Sequence, residues 1–171
     1  MTVAPLPASG SVQVGVAVPP EQLWAFVSDP TLPAQFSPEL ADAQLEDAGP
    51  VRVGAVIAGR NVRGEMAWTT RSTIVECEAP RRFSWATGGA DEPTATWTFE
   101  VRDAPGGSTL VHTVVLHEGR EPFASAIANE TDRANELVAN RMAELLEHMA
   151  LTVEGLASLA ESADAGGDEP T

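Results

Sequence analysis

A single uninterrupted helical run closes this chain, after a long stretch that reads as strands and turns. From Pro122 to about Ala160 no proline intervenes, and apolar residues recur three to four apart, the period of one helix face. Ile127, Thr131, Ala134, Val138, Leu145, Met149 and Leu156 fall near one stripe, which Leu137, Met142, Leu146 and Val153 widen. Such a width suits a helix lying across a sheet better than a coiled-coil seam. Ahead of it, Ala95, Trp97, Phe99 and Val101 alternate with Thr96, Thr98 and Glu100, the period of a strand with one buried face. A long helix beside a large antiparallel sheet is an α+β arrangement able to close a deep apolar cleft. The layout points to a container for a small apolar molecule.

The other elements read in order. Val12, Val14, Val16 and Val18 form one face of a first strand, which Pro19-Pro20 stops. Proline in a first helical turn is well tolerated, so a short helix is expected from Glu21 to about Ser28, and a second short helix or turn from Thr31 to Phe36. Strands follow at about 41–48 and 51–60, joined at Gly49-Pro50. A long strand runs from Glu65 to Glu78, and its faces are mixed enough to suggest a bulge. Next come a strand carrying Phe83 and Trp85, one at 94–102, a turn at Pro105-Gly106-Gly107, and a last strand from about Thr109 to His117. Residues 1–10 read as a flexible arm, 11–160 as a single domain, and the acidic stretch 161–171 as a disordered tail.

Composition excludes several classes of function. The 171 residues carry a net charge of −15, which disfavours nucleic acid and anionic membrane surfaces as partners. The acidity reads as a solvated surface that aids solubility. All ten basic residues are arginine. Cys77, the single cysteine, excludes an internal disulfide, and its neighbours Glu76 and Glu78 disfavour a thiolate. No apolar stretch is long enough for a membrane span, and the first residues lack the pattern of a signal peptide, so the cytoplasm is the expected location. No motif calls for a metal or a nucleotide cofactor.

Local sequence carries a resemblance. The runs VPPEQLWAFVSDP, FSPEL at 36–40, GRNVRGEMAWTTRSTIVECEAPRRFSW at 59–85, and GGSTLVHTV resemble the START-like (SRPBCC) superfamily. Within it they resemble the polyketide cyclase/dehydrase and lipid-transport group. The resemblance spans about residues 11–155. It implies the helix-grip fold: a seven-stranded curved antiparallel sheet around a long C-terminal helix, with two short helices after the first strand. It leaves activity open, because members include lipid carriers, cyclases and dehydratases. Phe36 stands where many relatives have tryptophan, which keeps an aromatic wall and removes an indole donor.

Trp68, Trp85, Trp97 and Phe99 are expected on strands of one curved sheet, and Phe36 at its mouth. They offer flat apolar walls for a planar or lipid-like guest, or they simply fill a core. On the helix, Ile127, Ala134, Val138 and Met142 are expected to face the tryptophans, with the small Thr131 and Ala134 leaving room. Asn61 is the polar candidate in the Gly-x-Asn segment. Arg71 is expected on the outer face, and Glu76 is expected to pair with Arg81 or Arg82. On the last strand, apolar neighbours place His112 inward, whereas the register implied by the resemblance favours Thr113. His148 reads as solvent-facing, so any catalytic group is expected from the sheet.

Three functions follow. The first is binding of a small hydrophobic, polyketide- or lipid-like molecule, as carrier or binding protein. The second is a cyclase or dehydratase that folds its substrate by shape while His112 shuttles a proton. The third is a protein-interaction module with a solid core. The oligomeric state is left open, a homodimer through the open strand edges included.

Overall fold

The structure is a computed structural model that describes residues 6–118 and 133–167. Seven antiparallel strands form one sheet: β1 (Ala8–Val16), β2 (Leu40–Leu45), β3 (Val56–Arg63), β4 (Met66–Glu78), β5 (Arg82–Thr87), β6 (Ala95–Ala104) and β7 (Gly107–Leu116). Their spatial order is β1-β7-β6-β5-β4-β3-β2. Consecutive strands from β2 to β7 pair as hairpins, and β1 closes the far edge against β7. Helix α1 (Pro20–Val27) and a short 3-10 helix (Leu32–Gln35) follow β1, and the long helix α2 (Ala134–Gly166) ends the described chain. This is the expected helix-grip arrangement.

Period-2 patterning does its work on β1 and β6. Val12, Val14 and Val16 face the helix side, and the residues between them are exposed. On β4 the suspected bulge lies between Ile74 and Glu76. Ile74 pairs with Trp85 and Cys77 with Phe83, so residues of opposite parity share one face. The inserted residue explains the mixed pattern: Ile74 is fully buried, while Glu76 turns outward to Arg82 and Ser84 at 2.8 and 2.7 Å. Arg71 is also on the outer face, in a two-point ion pair with Glu46.

Several boundaries differ from the sequence reading. β1 begins at Ala8 and Leu6 is already buried, so the arm is shorter than 1–10. Its register against β7, Ala8 opposite Leu116, supplies the backbone partners that composition did not reveal. Strand β2 ends at Leu45 and β3 starts at Val56. The intervening residues form a loop in which Arg52 pairs with Asp47 at 3.1 Å. Helix α2 continues to Gly166, so 161–166 is helical rather than part of a tail. Ala160 is buried there and Glu161 accepts a hydrogen bond from the Ala17 N–H at 2.9 Å. Residues 122–132, including Ile127 and Thr131, lie outside the described residues.

Helix α2 packs chiefly on β1, and less on α1, β7 and the 3-10 helix. Gly10 allows this approach: a β-carbon there would lie 2.8 Å from Met142 Sδ and 3.0 Å from a Leu146 methyl. Two apolar clusters result. One joins Leu23 and Val27 of α1, Phe83, Phe99 and Val101 of the sheet, and Val153, Leu156 and Ala160 of α2. The other joins Leu6, Ala95, Val114 and Leu116 to Ala134, Val138, Leu145 and Met149. Because the helix lies over one edge of the sheet, the inner face of β3–β6 is left facing a space.

Candidate functional site

That space is a cavity of about 1300 Å³ between the concave face of the sheet and the first half of α2. It exceeds the roughly 300–1000 Å³ of ordinary small-molecule sites. Strand parity determines its floor. Residues at cross-strand positions on one face, Asn61 opposite Trp68, Trp85 opposite Trp97, and Phe99 opposite His112, all line it.

The innermost wall is aromatic. Trp85 and Trp97 have nearly parallel rings, 10° apart with centroids at 6.4 Å. The His112 imidazole lies 5.9 Å from each, at 27° and 25°, and 4.2 Å from Phe99 at 23°. His112 therefore belongs to the wall, and the apolar neighbours on β7 were the correct guide to its register. Its Nδ1 lies 3.1 Å from the Thr98 carbonyl. A carbonyl only accepts, so Nδ1 carries the proton and a lone pair remains on Nε2. Burial pushes this histidine from 6.5 down to about 4, against a smaller upward pull from Thr98. The ring is neutral at pH 7.

Of the expected lining residues, Asn61, Trp68, Trp85, Trp97 and Phe99 are brought together here with His112. Five others are not. Thr113 pairs with Thr98 and has the opposite parity to His112, so it lies on the outer face. Ala134 and Val138 are buried in the second apolar cluster, and Met142 packs against it, because α2 turns that stripe toward β1 and β7. Phe36 is seated on α2 at Gly155, where a β-carbon would overlap its ring. It pins the 3-10 helix to α2 and does not form the mouth.

The helix instead presents Leu137, Asn140, Arg141, Leu145, His148, Met149 and Thr152 to the cavity. His148 is thus not solvent-facing, its side chain being only 18% exposed, and α2 does bring polar groups to the site. Arg141 makes a two-point pair with Glu39, at 2.5 and 2.8 Å, and reaches Glu144 at 3.2 Å. Glu144 in turn pairs with Arg63 at 2.8 Å. Burial alone would lower the pKa of Arg141, but its carboxylate partners raise it. The hydrogen bond from Arg63 holds the Glu144 carboxyl below its usual range. Glu39 belongs to the FSPEL segment, where Ser37 Oγ accepts from the N–H groups of Glu39 and Leu40 at 3.3 and 3.0 Å. The sequence held one partial signal of this network, the FSPEL segment that carries Glu39.

Among the described residues no group of three His, Cys, Asp or Glu side chains is placed to hold a metal ion. No described helix is long and apolar enough to cross a membrane. His117 meets Thr96 Oγ1 at 2.9 Å at the rim, and burial raises the pKa of Cys77.

A family model described as polyketide cyclase / dehydrase and lipid transport matches residues 7–154. A search of curated proteins returns no match. Among solved structures, the Zhui aromatase/cyclase from Streptomyces sp. R1128 is similar at 15% identity and a TM-score of 0.71, over 95% of this chain and 99% of that one. A polyketide cyclase-like protein from Corynebacterium glutamicum is similar at 23% identity and a TM-score of 0.63, over 95% and 97%. The di-domain aromatase/cyclase StfQ of the steffimycin pathway is similar at 17% identity and a TM-score of 0.70, over 95% of this chain and 53% of that one.

Proposed function

The chain belongs to the polyketide cyclase / dehydrase and lipid transport family, and from that premise we propose that it binds a flat or lipid-like apolar molecule between the sheet and α2, as a carrier or binding protein. The observation that carries this reading is the cavity of about 1300 Å³, whose wall is built from near-parallel aromatic rings. Flat rings bury a planar guest over a large area without losing many side-chain rotamers. An interior with this much space argues against a solid-core interaction module. The net charge of −15 supports a partner that is neither nucleic acid nor an anionic membrane.

Tryptophan fluorescence tests the proposal, because Trp68, Trp85 and Trp97 all line the cavity. Titration with 2-methoxynaphthalene is expected to quench the emission saturably, with one molecule bound per chain. Quenching that rises linearly without saturation would overturn the reading. Mass spectrometry of material extracted from natively purified protein identifies the physiological guest.

His112 favours a second reading, a cyclase or dehydratase. A neutral imidazole in an apolar wall accepts a proton at Nε2 and holds the reacting chain against flat surfaces. In an aldol closure, Nε2 would take a proton from a carbon flanked by carbonyls. The resulting enolate carbon attacks a second carbonyl, a C–C bond forms, and the new alkoxide recovers the proton from the imidazolium. On this reading His112→Ala abolishes the closure of a poly-β-keto thioester, and unaltered turnover rejects it.

A further inference from the structure

One group at the cavity is left unsatisfied. His148 Nδ1 is a buried polar atom with no hydrogen-bond partner among the described residues. The carboxylate Oε2 of Glu39 lies 3.6 Å from it, just beyond hydrogen-bonding distance. Glu39 cannot swing freely toward the ring, because both its oxygens are held by Arg141 and its backbone carbonyl accepts from the Val62 N–H at 2.8 Å. The carboxylate is therefore a fixed negative charge beside Nδ1. It favours the tautomer with the proton on that nitrogen, which leaves a lone pair on Nε2 of a ring that lines the cavity.

The surrounding charges sharpen what this ring could recognise. Arg141 and Arg63 are each matched by carboxylates, Glu39 and Glu144. Two cations against two anions leave no surplus positive charge to welcome a carboxylate or phosphate head. An unpaired acceptor in a balanced neighbourhood suits a neutral hydrogen-bond donor.

We propose that His148, held in one tautomer by Glu39, is a specificity-determining residue that accepts a hydrogen bond from a hydroxyl group on the bound apolar molecule. The favoured ligand class is then a neutral hydroxylated ring system rather than a fatty acid or a phosphorylated lipid. This rests on the ligand-binding reading above and adds a polar anchor at the helix side, opposite the aromatic wall that contains His112.

The test compares three probes of similar size by tryptophan quenching: 2-naphthol, 2-methoxynaphthalene and 2-naphthoate. They carry a hydroxyl donor, the same oxygen without its proton, and an anion. In the native protein 2-naphthol is expected to bind about tenfold more tightly than 2-methoxynaphthalene, the size of one well-made buried hydrogen bond, with 2-naphthoate weakest. His148→Leu is expected to bring the first two probes to equal affinity, and His148→Gln, which keeps an acceptor, to restore most of the difference. Equal binding of 2-naphthol and 2-methoxynaphthalene by the native protein overturns the hydroxyl anchor and leaves the cavity reading standing. A preference that survives in His148→Leu and vanishes in His112→Leu assigns the anchor to the aromatic wall and also overturns the proposal. Tightest binding of 2-naphthoate overturns the argument from balanced charge, and saturable binding of none of the three overturns both readings.

Discussion

Gly155 and Phe36 make a prediction in which two opposing effects can be separated. Gly155 lies in the interior of α2, where replacing glycine by alanine ordinarily stabilises by about 1 kcal/mol, because glycine loses the most backbone freedom on folding. Here the new β-carbon would overlap the Phe36 ring at Cγ and Cδ1 and sit 2.7 Å from Cδ2. The clash is with the root of the ring rather than the tip of a flexible chain, so the 3-10 helix must shift. Overpacking of this kind costs roughly 1–3 kcal/mol, and with three ring atoms involved the upper half of that range applies. The net expectation for Gly155→Ala is a loss of about 1–2 kcal/mol. In a Phe36→Ala background the obstacle is gone and only the helix term survives, so the same substitution is expected to gain about 1 kcal/mol. Urea unfolding of the four proteins, followed by far-UV circular dichroism, gives the coupling energy directly, expected at about 2–3 kcal/mol. A stabilising Gly155→Ala in the native background, or the same destabilisation in both, would refute the claim that this glycine exists to seat Phe36.

Two further outcomes can be measured. His112 has a folded pKa of about 4 against 6.5 unperturbed, so the unfolded chain takes up its proton first. Stability is therefore unaffected by this group above pH 6.5 and falls as pH drops toward 4, by up to ~3 kcal/mol. Buffers from pH 7 to pH 4 should show that much less acid sensitivity in His112→Phe than in the native protein, and identical slopes would refute it. Arg141→Met leaves the Glu39 carboxylate, 11% exposed, without its two-point partner. The expected loss is about 3 kcal/mol, largely recovered by adding Glu39→Gln, and thermal unfolding of the single and double variants decides it.

The parts of the fold that could be read from sequence are those governed by a local period. β6 declares itself because Ala95, Trp97, Phe99 and Val101 face one way, and parity alone then placed Trp97 and Phe99 on the cavity side. The bulge in β4 was visible as a broken alternation. The rotation of α2 was not readable, since its apolar stripe is wide enough to serve either the cavity or β1. Its contacts with β1 and β7, those of Met142 and Leu146 with Gly10 among them, show which side goes where. The polar rim escaped for a different reason. Glu39 and Arg141 are 102 residues apart, and neither spacing nor periodicity links a loop carboxylate to a helix guanidinium. Phe36 misled because an aromatic beside a turn fits a cavity mouth and a helix contact equally well.

Two apolar clusters hold α2, one along Ala134 to Met149 and the other along Val153 to Ala160, and the part of the cavity lining that belongs to neither has a consequence for how the chain can change over time. Met66, Trp68 and Leu137 line the cavity but belong to neither cluster. Their replacement removes little of what holds helix to sheet. Mutation can therefore remodel the cavity lining at small risk to folding, as a lock can be rekeyed without rehanging the door. Such a division of labour suits a scaffold whose relatives can diverge in what they hold while keeping one backbone.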